Sequence, residues 1–222
     1  MRIVFRWLNV PEQTNVFNAV RKMVLASGLK FEPAKINKNW PRLAYGPAPA
    51  TGQRAEREYL DIYLQEPVAA EVARTALEAS APKGLELLQV ERVPYPLPSV
   101  QNLAAAVRYR VEGDFSRFTL AGRELKEFVE SGKAVVVRRA DNGLSCTTDI
   151  LPFWVSADTL SKTQISLTLQ KAGEKWMRPE WVVAAWLGIE IPAQADAPIL
   201  EDFRFIRESF FWRDSQGELH PI

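Results

Sequence analysis

The sequence is poor in the residues that hold metals and make crosslinks. It contains one cysteine, Cys146, and one histidine, His220. A single cysteine forms no intramolecular disulfide. One Cys and one His also fall short of the ligand set of a structural zinc or a cysteine-bound iron–sulfur cluster, unless another chain contributes. No cofactor is therefore expected. Long apolar runs are lacking too, so no membrane span is expected. The opening Met1-Arg2-Ile3-Val4-Phe5-Arg6-Trp7 is too short and too charged for a secretory leader, and the expectation is a cytoplasmic protein. What is abundant is ordinary: 47% hydrophobic and 25% charged residues in a chain of 222. That composition excludes general disorder and leaves room for one large domain or two small ones.

The net charge of +1 conceals an uneven distribution. Residues 1–57 hold ten basic side chains against three acidic, whereas 190–222 hold seven acidic against three basic. A basic N-terminal quarter suits a polyanionic partner, and equally a solvated surface balanced elsewhere in the fold. The clearest boundary is Val93-Pro94-Tyr95-Pro96-Leu97-Pro98-Ser99. Its alternate prolines favour an extended connector and exclude a central strand or helix interior. Domains over 1–93 and 100–222, joined by a linker at 94–99, follow from it.

The first half reads β-α-β-β-α-β. Residues 2–8 alternate, with Ile3, Phe5 and Trp7 opposite Arg2, Val4 and Arg6. Residues 13–27 carry a helical stripe ending at Gly28. A β-like stretch runs from 31 to 45, and Leu60, Ile62 and Leu64 alternate with Tyr59, Asp61 and Tyr63. A helix over 67–79 burying Val72, Ala76 and Leu77, then a strand over 85–93, complete it. The second half is a variant of the same plan, with strands over 104–112, 134–139, 144–151, 165–169 and 203–212. Its helices lie over 119–131 and from Pro179 to Gly188, and Asp141-Asn142-Gly143 marks a hairpin turn. The expected fold class is α+β, with two tandem ferredoxin-like (split βαβ) domains built on antiparallel sheets.

The run Pro41-Arg42-Leu43-Ala44-Tyr45-Gly46-Pro47-Ala48-Pro49-Ala50-Thr51-Gly52, followed by Glu58-Tyr59-Leu60-Asp61-Ile62, resembles the uncharacterised radical-SAM-linked family. Such a domain is encoded beside, or fused behind, a radical SAM protein. Thr148-Asp149-Ile150-Leu151-Pro152, Arg178-Pro179-Glu180 and Ile206-Arg207-Glu208 extend the likeness along the chain. The turn at Asn9 to Asn15 departs from it, having no histidine where relatives carry one. The resemblance implies a radical SAM partner. The three-cysteine cluster of the catalyst is absent from the sequence, so the chain would be the companion.

Candidate ligand-binding residues follow from the central strand pair and the loop beside it. Arg2 and Arg6 should neighbour Tyr59, Asp61 and Tyr63 on the sheet face away from the helices. There, aromatics and arginines can stack bases and neutralise phosphate, or the face can pack against the second half. Gly46 and Gly52 allow close backbone approach, and Arg42, Arg54 and Arg57 can grip a carboxylate or phosphate. The same loop also reads as a stiff hairpin connection. Asp149 is read as bonding local backbone, Cys146 as a small buried hydrophobe and His220 as an exposed tail residue. Trp181 and Trp186, five residues apart, should meet different surroundings. No nucleophilic triad can be assembled. Three classes of function stay open: a non-catalytic companion that binds or presents a substrate (RNA or another anionic ligand), an enzyme using Asp61 or Asp149 with arginine clamps, and a structural interaction module.

Overall fold

The structure is a computed structural model that describes residues 1–7, 16–48, 54–139, 145–189, 191 and 200–222. The turn at Asn9 to Asn15, Gly52, the Asp141-Asn142-Gly143 turn and the prolines Pro192 and Pro198 lie outside the described residues. The fold is α+β, and the chain divides into two compact units, 1–48 with 55–104 and 49–54 with 105–222.

In the first unit the elements are β1 (Arg2–Trp7), α1 (Val16–Ala26) and β2 (Leu43–Tyr45), then the short β3 (Arg54–Ala55) that begins at residue 54 of the second unit. There follow β4 (Glu58–Ile62), α2 (Ala70–Ala79), β5 (Leu85–Glu91) and α3 (Val100–Leu103). The sheet order is β2-β4-β1-β5, with every neighbouring pair antiparallel. Alternation places Ile3, Phe5, Leu60 and Ile62 on the face that packs on the helices. There they meet Val20, Met23 and Val24 of α1 and Ala73 and Leu77 of α2. Gly28, at φ 72°, takes the left-handed turn after α1 that a side chain would resist. α2 buries the Ala73/Leu77 pair, four residues apart, and leaves Val72 59% exposed. The expected inward Val72 is thus corrected: the small Ala73 lets the helix approach the sheet. The stretch over 31–45 forms strand only at Leu43–Tyr45, with isolated bridges Phe31↔Leu64 and Pro33↔Pro41. Prolines without an N–H explain why the ladder goes no further.

The second unit holds β6 (Ala106–Glu112), α4 (Ala121–Phe128) with a π turn over Val129–Lys133, β7 (Val135–Arg139) and β8 (Ser145–Asp149). Beyond a 3₁₀ turn at Leu151–Phe153 come β9 (Trp154–Ser161), β10 (Gln164–Gln170), α5 (Pro179–Leu187), β11 (Arg204–Arg213) and β12 (Leu219–Pro221). The main sheet runs β12-β11-β6-β10-β9, while β7 and β8 pair as a separate hairpin. β9 was not anticipated, because Asp158, Thr159 and Ser161 interrupt its apolar pattern. In register across β6, Val107, Tyr109 and Val111 face Leu169, Leu167 and Ile165, all buried. The opposite face is ionic, with Arg110 bonded to Glu208 at 2.7 Å and to Glu112 at 3.2 Å. α5 opens at Pro179 and ends at Gly188, φ 69°.

α4 approaches β9 closely enough that its Gly122 N–H donates to Thr159 Oγ1 at 2.8 Å. A Cβ at residue 122 would overlap the backbone of Asp158 and Thr159. Gly122→Ala is therefore expected to destabilise the fold by about 1–3 kcal/mol, the usual cost of overpacking against atoms that cannot rotate away. Urea denaturation measures it, and an unchanged midpoint would mean that the helix slides freely on the sheet.

Candidate functional site

The site is built at one end of the first sheet. β1 and β4 pair with Arg2 opposite Asp61, and both point away from the helical core because Ile3, Leu60 and Ile62 point into it. The Arg2 guanidinium grips the carboxylate with two bonds, Nε to Oδ1 at 2.8 Å and Nη2 to Oδ2 at 3.1 Å. The Val100 N–H at the start of α3 adds a third, to Oδ2 at 2.7 Å. Only 6% of the Arg2 side chain and 10% of the Asp61 side chain are exposed. Charges so far from water persist when each is matched and hydrogen-bonded, and this pair is both.

Beyond the ends of β4 and β2 a second arginine is anchored. Arg42 Nη1 donates to Glu32 Oε2 at 2.7 Å, and its guanidinium lies over the Tyr63 ring, 3.9 Å from the centroid. The backbone fixes the group: Arg42 N–H donates to Glu32 O, Glu32 N–H to Tyr63 O and Tyr63 N–H to Arg42 O. Hydrogen bonding to Glu32 first, and to Tyr95 second, holds the Arg42 pKa above its ordinary value.

Of these residues Asp61, Glu32 and Tyr63 line a cavity of about 340 Å³, at the small end of the range for ligand pockets. Asp61, Glu32, Tyr63, Gln65, Arg92 and Tyr95 supply its polar lining, and Val68, Leu97 and the prolines Pro67, Pro94 and Pro98 its apolar lining. Three carboxylates line it: Asp61 and Glu32 are bound by arginines, and the exposed Glu66 pairs with Lys30 at 3.0 Å. Arg92 is exposed and lines the cavity. Chemically, the arrangement can hold a small ligand between rings and prolines and neutralise one negative charge.

Of the residues singled out in the sequence, the structure brings Arg2, Asp61, Tyr63 and Arg42 to this end of the sheet. Tyr59 lies opposite Val4 and is 1% exposed, so this face of the central strands is covered rather than open. Arg6 sits four residues along β1, roughly 13 Å away at strand rise, and pairs with Glu86 at 2.6 Å. Gly46 continues the β2–β4 ladder through its N–H to Tyr59 O at 2.9 Å. Arg54 and Arg57 are exposed, and Arg57 precedes the opposite end of β4 from Asp61. Glu32, Gln65, Arg92 and Tyr95 were missed. Tyr95 stood in view between the prolines at 94 and 96, but the segment was read only as a connector.

Elsewhere, Asp149 Oδ1 accepts the Leu151 N–H at 3.0 Å, the local role expected of it. Cys146 is exposed, which corrects the buried reading; β8 shows Ser145, Cys146 and Thr147 all to solvent. His220 is exposed but belongs to β12, bonded to Asp214 at 2.8 Å and set against Trp212. Trp181 lies under the Arg138 guanidinium at 4.4 Å, and Trp186 stacks on Phe118 at 4.3 Å. Among the described residues no cluster of three His, Cys, Asp or Glu side chains could hold a metal ion, and no helix is long and apolar enough to cross a membrane.

Residues 38–179 match the family described as "Uncharacterized protein conserved in bacteria (DUF2344)". No curated protein matches the chain. The matched span exceeds half of the sequence, and the chain belongs to that family. It takes in Arg42, Asp61, Tyr63, Arg92 and Tyr95, and leaves out Arg2 and Glu32.

The two ion pairs differ in exposure, and so in worth. The Arg42 and Glu32 side chains are 39% and 31% exposed, which leaves their attraction screened by water. Glu32→Gln is expected to lower stability by no more than about 1 kcal/mol, read as a shift in chemical denaturation. A loss several times larger would show that the pair, and not the backbone bonds around it, holds the cavity wall.

Proposed function

We propose that this member of the family is a non-catalytic companion of a radical SAM enzyme, and that it binds or presents an anionic substrate. The observation that carries the reading is the cavity of about 340 Å³ with Tyr63, Tyr95, Gln65 and Arg92 on its wall. A carboxyl group that serves as general acid or base needs a proton free to move. Asp61 instead accepts three hydrogen bonds, two of them from Arg2, and Glu32 is bound by Arg42. Beside the Glu66–Lys30 pair and the Met1 amino group, which donates to Ile62 O, the wall offers recognition chemistry: a cation in Arg92, an amide in Gln65 and aromatic rings over which a flat group can lie. The radical SAM partner is drawn from the resemblance along Pro41 to Gly52 and Glu58 to Ile62, and the cytoplasm is the compartment that fits it.

We also read both units as split βαβ folds of ferredoxin-like type. The orders β2-β4-β1-β5 and β9-β10-β6-β11 support this, since each follows from two βαβ halves interleaved in one antiparallel sheet. On that reading the β7–β8 hairpin is an insertion before β9, and β12 an added edge strand.

Two measurements test the companion role. The tagged full chain is expected to copurify with a radical SAM protein encoded beside it. A nucleoside monophosphate, used as an anionic probe, is expected to raise the melting temperature. Arg92→Ala should weaken binding of that probe by about tenfold or more, the worth of a charge-assisted hydrogen bond. No complex and no ligand-dependent shift would contradict the proposal.

A further inference from the structure

Residues 16–42, of which only Glu32 lines the cavity, carry six basic side chains against that single acid, and the acid is held by Arg42. The same segment exposes two aromatic rings, Phe17 at 42% and Trp40 at 41%. Neither ring is loose. The Phe17 ring meets Tyr45 edge-on at 4.7 Å, and Tyr45 Oη donates to the Phe17 carbonyl at 3.2 Å. The Trp40 ring lies against the Arg21 guanidinium, 4.1 Å from its centroid. Arg21 is one turn along α1 from Phe17, so the helix positions that carry the two contacts lie roughly 6 Å apart along its axis, the rise of four residues. Lys22, Lys35 and Lys38 are exposed in the same segment.

We infer that this face of α1 and the loop before β2 is a binding platform for single-stranded RNA. Rings held in place and half open to solvent offer stacking surface to splayed bases, and a guanidinium beside one of them extends the stack. Lysines without competing carboxylates neutralise the phosphates that follow. The inference goes beyond the cavity reading and does not depend on it: it names RNA as the ligand of a second surface.

The test is fluorescence anisotropy of a short labelled single-stranded RNA with the full chain, over a range of salt concentrations. Salt-sensitive binding is expected. Trp40→Leu keeps apolar bulk but cannot stack, and should weaken binding roughly 5- to 140-fold with an unchanged salt slope. Trp40→Phe should restore most of the affinity. Replacing Lys35 and Lys38 together by alanine should flatten the slope by about 1.4, the share of two phosphates. A folded wild-type chain with no salt-sensitive binding would overturn the inference, as would equal losses from Trp40→Leu and Trp40→Phe. Binding to phosphatidylserine vesicles in place of RNA, abolished by Ile36→Ser, would overturn it in favour of a lipid surface, since Ile36 is 97% exposed and an aliphatic side chain stacks no base. If RNA binds as expected and no radical SAM complex forms, the companion role fails while the platform stands.

Discussion

The buried pairing of Arg2 with Asp61 is the constraint around which the first unit is arranged. It joins three points far apart in sequence: the start of β1, the end of β4 and, through the Val100 N–H, the start of α3. The cost of removing both charges from water is offset only while all three bonds are made. That requirement fixes the register of β1 on β4 at their shared end and brings α3 over the same face. The segment 92–98, which runs from β5 to α3, must then pass beside Tyr63, and it supplies Arg92, Tyr95 and the prolines that line the cavity.

The same constraint bears on what the site can do. A carboxylate with its oxygens occupied is a poor proton carrier; Glu32 is bound by Arg42, and Glu66, the third at the cavity, pairs with Lys30 in the open. The basic groups are less confined: Arg92 is exposed at the cavity, and Lys35 and Lys38 are exposed on the loop before β2. On the reading proposed above, ion-paired carboxylates beside an exposed cation and aromatic rings would suit anionic, partly flat ligands. The ionic face of the second sheet, where Arg110 bridges Glu208 and Glu112, shows the contrary arrangement. Both signs of the Arg110 cluster are matched there, and Arg108 on the same face lies over the Phe211 ring.

Much of the fold was legible because alternation and helical spacing follow from burial. Ile3 with Phe5, Leu60 with Ile62, and Val107 with Tyr109 and Val111 announce their strands, and Gly28 and Gly188 end their helices where only a left-handed turn fits. β9 was illegible because Asp158 and Thr159 break the apolar pattern that defines a half-buried strand. Val72 misled because an alanine-rich helix offers little apolar contrast to set its phase. At the site, the sequence placed Asp61 and Tyr59 beside the strand that carries Arg2, but alternation reports only which face a residue occupies. Whether that face is open or covered depends on segments distant in sequence, here Val100. The same blindness hid Tyr95 and Arg92, whose role arises from where a proline-rich segment happens to pass.

The account stands or falls on the worth of the Arg2–Asp61 pair, and a double-mutant cycle with Arg2→Met and Asp61→Leu measures it in the full chain. Each single replacement leaves one buried charge unmatched and is predicted to cost about 3–5 kcal/mol of unfolding free energy. The double replacement removes both charges and should cost less than either single one, giving a coupling of several kcal/mol. Single losses below about 1 kcal/mol that simply add would contradict the account, and would reduce the pair to a surface contact with no hold on the site.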